Sequence, residues 1–158
     1  MKKSIAKGLS FGLTSAVITT MGLMLGLNSA TSSKLAVVGG VVSLAFADGF
    51  SDGVAVHALV EAEGKKGKQV WEAAFSAFLA KFFLPLIFLV PLLFLDLSNA
   101  ILFSIGIGLI LLVGLSFMIA KIQKEKVSSV ITEHLTLAIT VLIITHYVGK
   151  VVAIYFGV

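Results

Sequence analysis

A chain of 158 residues that is 58% hydrophobic and only 13% charged, with a mean hydropathy of +1.10, has too little polar surface to cover a soluble core. It contains no cysteine, which excludes disulfide frameworks, thiolate metal sites and cysteine nucleophiles. The formal charge of +4 rests on twelve lysines and no arginine, which argues against nucleic-acid recognition and points to membrane topology instead.

A membrane span needs about 20 mostly apolar residues. Five segments qualify: residues 9–27, 35–62, 70–95, 100–120 and 130–156. The expected fold is therefore all-α, a single domain over residues 1–158 built as a bundle of five transmembrane helices. The connections, 28–34, 63–69, 96–99 and 121–129, are short, so neighbouring spans are antiparallel and no soluble domain fits between them.

The first span carries hydroxyls at Ser10, Thr14, Ser15, Thr19 and Thr20, with Gly8/Gly12 and Gly22/Gly26 at GxxxG spacing. Such glycines let helices approach closely, and the expected neighbour is the second span, which adds Gly49 and Gly53. The alternative is a water-accessible seam between the two, lined by these hydroxyls and by Asp48 and Asp52. The start of the chain also fits a cleaved leader, with Lys2-Lys3, an apolar run and Asn28-Ser29-Ala30, but that run is long and glycine-studded, which favours a retained span.

The second span contains Ala47-Asp48-Gly49-Phe50-Ser51-Asp52-Gly53. At ~100° per residue Asp48 and Asp52 share a helix face one turn apart, and an acid inside a membrane marks a candidate ion or proton site. Two carboxylates so close repel, so one binds a proton more tightly, and a divalent cation would displace that proton. Glu63 lies on the same side and would extend an acidic track, whereas His57 and Glu61 face the opposite way.

The third span holds Pro85 and Pro91, each lacking an amide donor, and is expected to kink. Lys81, near its middle, is too deep for easy snorkelling, and Asp48 or Asp52 are its expected partners. The fourth span is plain packing sequence. The fifth carries Glu133 and His134 near one end and His146 deeper, a packing histidine or a proton relay.

Nine lysines (2, 3, 7, 65, 66, 68, 121, 124 and 126) fall on one side of these spans, and in the loops of the other side stands Lys34 alone. The positive-inside rule then places the N-terminus in the cytoplasm and the C-terminus outside. No nucleophile-elbow or metalloprotease spacing occurs, so no enzyme activity is expected.

Ser10-Phe11-Gly12-Leu13-Thr14 and Ala47-Asp48-Gly49-Phe50-Ser51-Asp52, with Pro85 and Pro91 downstream, resemble the vacuolar iron transporter family and its prokaryotic members. There the first motif reads Ser-Asp-Gly-Leu-Thr and the second Ala-Asp-Gly-Phe-Ser-Met. The resemblance implies a homodimer in the lipid bilayer, without a prosthetic group, whose cation path lies at the two-fold axis along the first two helices. It implies export of Fe2+, sometimes Mn2+, against protons, here across a prokaryotic cell membrane. Asp48, Asp52 and Glu63 would then be metal ligands, and Asp48, Asp52, Lys81 and His146 the proton-coupling or charge-compensating groups. Gly12, Thr14, Thr19, Gly22, Gly26, Gly49, Ser51 and Gly53 would pack the helices or line the pathway.

The chain departs from that family at Phe11, Asp52 and Leu44, and it lacks the acidic cytoplasmic metal-binding domain between the second and third helices. A carboxylate in place of a thioether shifts preference toward harder cations or protons. Met21 and Met24 offer thioethers elsewhere, although core packing is their expected role. The alternatives to transport by exchange are a non-transporting scaffold or regulator with the same fold, and a channel or carrier for another ion.

Overall fold

The computed structural model describes residues 3–157, with side chains from residue 4 onward. Met1, Lys2 and Val158 lie outside the described residues, so the placement of the Lys2 charge does too. The described chain is helical from end to end: α1 (Lys3–Thr31), α2 (Lys34–Ala62), α3 (Lys68–Ile87), α4 (Leu89–Phe94), α5 (Leu97–Gln123) and α6 (Val127–Phe156). α3 and α4 together form one span, Lys68–Phe94, so among the described residues five segments are long and apolar enough to cross a membrane. The architecture is that of a multi-pass integral membrane bundle.

The boundaries have local causes. Ser33 caps α2 by accepting from the Ala36 amide at 3.2 Å, and Asp96 caps α5 by accepting from the Asn99 amide at 3.3 Å. Gly64 and Gly67, at φ +77° and +57°, turn the chain between α2 and α3 where a side chain would be strained. The proline interruption falls at Phe88, whose amide bonds to the Pro85 carbonyl at 3.0 Å in a tightened turn that separates α3 from α4.

α1 is the central helix and packs on α2, α3, α5 and α6. Its Ala16, Val17, Met21 and Met24 are buried in the main core against Val37 and Val41 of α2 and Leu112 of α5. The methionines are packing residues, as expected.

The glycines of α1 do not face α2 as the sequence led one to expect. A Cβ at Gly8 would overlap the Ala73 carbonyl, and one at Gly12 would come 2.8 Å from Ala80 Cβ, so this pair seats α1 on α3. Gly22 and Gly26 meet Val141 and Thr145 of α6, where Gly149 lies against the Gly26 carbonyl. Gly49 and Gly53 of α2 likewise meet Phe78 of α3. The physical reason is that α1 has four neighbours, and its two GxxxG pairs sit at different heights facing different ones.

α2 and α3 form an antiparallel hairpin in clear register. Phe46 packs edge-on against Phe82, Phe50 lies tilted against Phe78 and His57 packs edge-on against Trp71, with ring centroids 5.0, 5.0 and 4.7 Å apart. One end of the bundle gathers the lysine-rich segments, because Lys7 shares a crevice with Lys65 and Lys68 and a cleft with Gln123. Lys34 belongs to the opposite end, where its ammonium donates to the Leu95 carbonyl at 2.9 Å.

Candidate functional site at the middle of the bundle

Asp48 is the middle residue of α2, and Lys81 is the middle residue of the Lys68–Phe94 span. The hairpin register brings them together. Lys81 Nζ lies 2.7 Å from Asp48 Oδ2 and 2.9 Å from Asp52 Oδ2, so both carboxylates expected to share a face converge on one ammonium. From α1, Thr19 Oγ1 donates toward Asp48 Oδ2 at 3.3 Å and toward the Ser15 carbonyl at 2.9 Å. Three helices thus contribute to one polar site about halfway along the apolar spans.

Burial divides the trio unequally. The Lys81 side chain is 2% exposed, whereas those of Asp48 and Asp52 are 26% and 22% exposed. The cation is sealed inside and the anions form the rim. With all three ionised the site holds one excess negative charge. Removing either kind of partner from a buried pair leaves an uncompensated charge, and such breakage typically costs about 3–5 kcal/mol.

The other expected site residues are dispersed. Glu63 caps α2 and pairs with Lys7, roughly 22 Å along the helix axis from Asp48. His146 Nδ1 lies 2.7 Å from Ser29 Oγ, and Ser29 is ten residues beyond Thr19 on α1, about 15 Å from the site. Its hydrogen bond to Ser29 satisfies it locally as a packing histidine. Among the described residues no group of three or more His, Asp or Glu side chains gathers.

Ser51 is exposed and donates only to the Asp48 carbonyl, at 3.4 Å. Thr14 Oγ1 is buried with no hydrogen-bond partner among the described residues. It lines a cleft of about 740 Å³ between α1, α5 and α6, together with Phe11, Ser15, Thr19 and His134. His134 Nδ1 lies 2.8 Å from Ser116 Oγ on α5.

Two polar pairings at the lysine-rich end were not anticipated: Lys7 with Glu63, and Ser4 donating to Glu72 at 3.0 Å. Lys7 and Glu63 are opposite charges near helix ends on the lysine-rich side, whereas Ser4 and Glu72 carry no such signal in the sequence. The chain matches no protein-family model, and comparisons with curated proteins and with solved structures return no match.

Proposed function

We propose that this chain is a divalent-cation/proton antiporter of the vacuolar iron transporter type, exporting Fe2+- or Mn2+-like cations from the cytosol. The observation that carries the reading is the convergence of Asp48 and Asp52 on the buried Lys81 ammonium, halfway along three long apolar helices. Ionisable groups at that depth are costly unless paired, and they mark ion or proton pathways. In this reading Lys81 is a tethered cation that holds the place of the cargo. An arriving dication displaces the ammonium from the carboxylates, and protons return to them when it leaves. The all-oxygen donor pair favours harder cations over a thioether-containing site.

Orientation and assembly belong to the same proposal. The lysine-rich end faces the cytosol, placing the N-terminus inside and the C-terminus outside a prokaryotic cell membrane. The protein is a homodimer through α1 and α2. Ala47, Ser51, Ala55 and Ala58 make an exposed edge of small residues on α2 beside the acids. A second copy there would bury the rim carboxylates and bring four of them together, where lipid would leave them facing hydrocarbon.

In proteoliposomes, metal-dependent proton flux is expected with Fe2+, Mn2+ or Co2+, and Asp52→Asn should abolish it. Wild-type vesicles silent toward all three, and toward Mg2+, would defeat the transport reading. A second reading has an observation of its own: Lys81 already engages both acids, which suits a non-transporting scaffold clamped by its ion pairs. Metal flux without proton countermovement would instead indicate a channel.

A further inference from the structure

We infer that His134 is a proton-binding site on the wall of the cleft between α1, α5 and α6, held by Ser116 in the tautomer that leaves its Nε2 open to the proton. A serine hydroxyl has one hydrogen to donate. Ser116, fully buried on α5, donates it to the Leu112 carbonyl one turn back, at 2.6 Å. Its oxygen is then left to accept, so the 2.8 Å contact assigns the donor hydrogen to His134 Nδ1. A neutral imidazole protonated at Nδ1 carries its basic lone pair on Nε2.

Among the described residues His134 has no second hydrogen-bond partner, and its ring lines the cleft that reaches the lysine-rich end beside Lys7 and Gln123. Protonation there costs no packing. An imidazolium donates from both nitrogens, so the bond from Nδ1 to Ser116 persists while Nε2 acquires its hydrogen. His146 lacks this arrangement, because Ser29 Oγ has no other bond among the described residues and its contact with Nδ1 fixes neither tautomer.

The charges around the ring leave the added proton uncancelled. Lys7 of α1 is the only other titratable side chain lining the cleft among the described residues, and Glu63 engages it. On α5, Lys121 lies over the Phe117 ring; on α6, Glu133 is exposed and points about 100° away from His134. Acid therefore makes the cleft wall more positive. Thr19 lines the same cleft and bonds to Asp48, so this charge opposes cation approach to the central site from the lysine-rich end. That consequence rests on the antiport reading, whereas the tautomer and the proton site do not.

The test is nitrogen NMR on the full-length protein with labelled histidine in phosphatidylcholine bilayers, the His134 signals being assigned by their loss in His134→Gln. At about pH 8 Nδ1 is expected to be protonated and Nε2 bare, and at about pH 5 both should carry hydrogen. Ser116→Ala, which removes the acceptor, should let the Nε2–H tautomer appear at the alkaline end. A wild-type Nε2 protonated at the alkaline end or bare at the acid end overturns the inference, as does an unchanged tautomer in Ser116→Ala.

Because the chain lacks cysteine, Ser10→Cys adds a lone thiol to the cleft as a probe of its charge. The rate with a cationic methanethiosulfonate, divided by that with a neutral one, cancels the thiolate fraction. On acidification over the same range that ratio should fall about twofold, the effect of one unit charge roughly 8 Å away in water. With His134→Gln added it should stay level. A ratio that is level in both backgrounds, or falls equally in both, places the charge elsewhere and overturns the inference. Vesicles silent toward metal while these results hold would defeat the antiport reading alone.

Discussion

Lys81 decides the chemistry at the scale of single residues. An ammonium this buried is stabilised by its two carboxylate partners rather than by bulk water. Asp48→Asn/Asp52→Asn together should lower stability by about 3–5 kcal/mol, read as thermal unfolding in detergent. Adding Lys81→Met to that double variant should recover most of the loss, because the uncompensated charge is then gone. Failure to recover would mean that the trio matters for more than charge balance. The acids and their lysine were legible in the sequence, since charges isolated in apolar runs can only be satisfied by one another. Glu63, read along the same helix face, stands at the end of α2 paired with Lys7, a partner on α1 that helical phase does not reveal. The same limit applies to His146, for which packing and relay were both open and whose partner Ser29 comes from a helix over a hundred positions away in sequence.

Among the elements, α1 shows what a small-residue pattern does and does not reveal. The spacing of Gly8, Gly12, Gly22 and Gly26 announces close helix contacts, and those contacts exist. It does not say which helix answers, because α2, α3, α5 and α6 all compete for the same cylinder. Gly12→Val should push against Ala77 and Ala80 of α3 and destabilise by about 1–3 kcal/mol. Gly114→Ala, with no neighbouring atom within 4 Å, should be neutral or slightly stabilising in the same unfolding measurement. Helix ends were more legible than helix partners, as Ser33 and Asp96 illustrate. Hydrogen bonds from the Asn99 side chain and amide hold the Asp96 carboxyl below the usual carboxylate range. A depressed folded value contributes stability that is present above the unfolded pKa and lost as pH falls through the folded one. Amide exchange at Asn99 should therefore quicken on acidification below about pH 4, and Asp96→Asn should flatten that dependence.

Taken as a whole molecule, the bundle leaves one flank of its central site unfinished. Asp48 and Asp52 reach the edge where α2 presents Ala47, Ser51 and Ala55, and within a single chain nothing covers that edge. Because the protein lacks cysteine, Ser51→Cys introduces a lone thiol, and oxidation in native membranes should yield a cross-linked dimer. Val148→Cys, exposed on α6, should stay monomeric under the same conditions. Cross-linking at 148 and none at 51 would place the interface elsewhere and remove the four-carboxylate arrangement. Five spans and antiparallel connections could be counted from hydropathy alone. The position of α1 at the centre could not, since it is one of the two least apolar spans and invites a peripheral reading.

The midpoint pairing of Asp48 and Asp52 with Lys81 has a bearing on biogenesis. An aspartate or lysine at the centre of a span opposes insertion by about 2.5–3.5 kcal/mol, so α2 alone carries two such penalties and α3 one. Neither helix of the hairpin is well suited to leave the insertion machinery singly. They are expected to partition into lipid together, after the turn at Gly64–Gly67 has brought acid and base side by side, so ribosome-bound chains ending before residue 81 should remain extractable while longer ones become embedded.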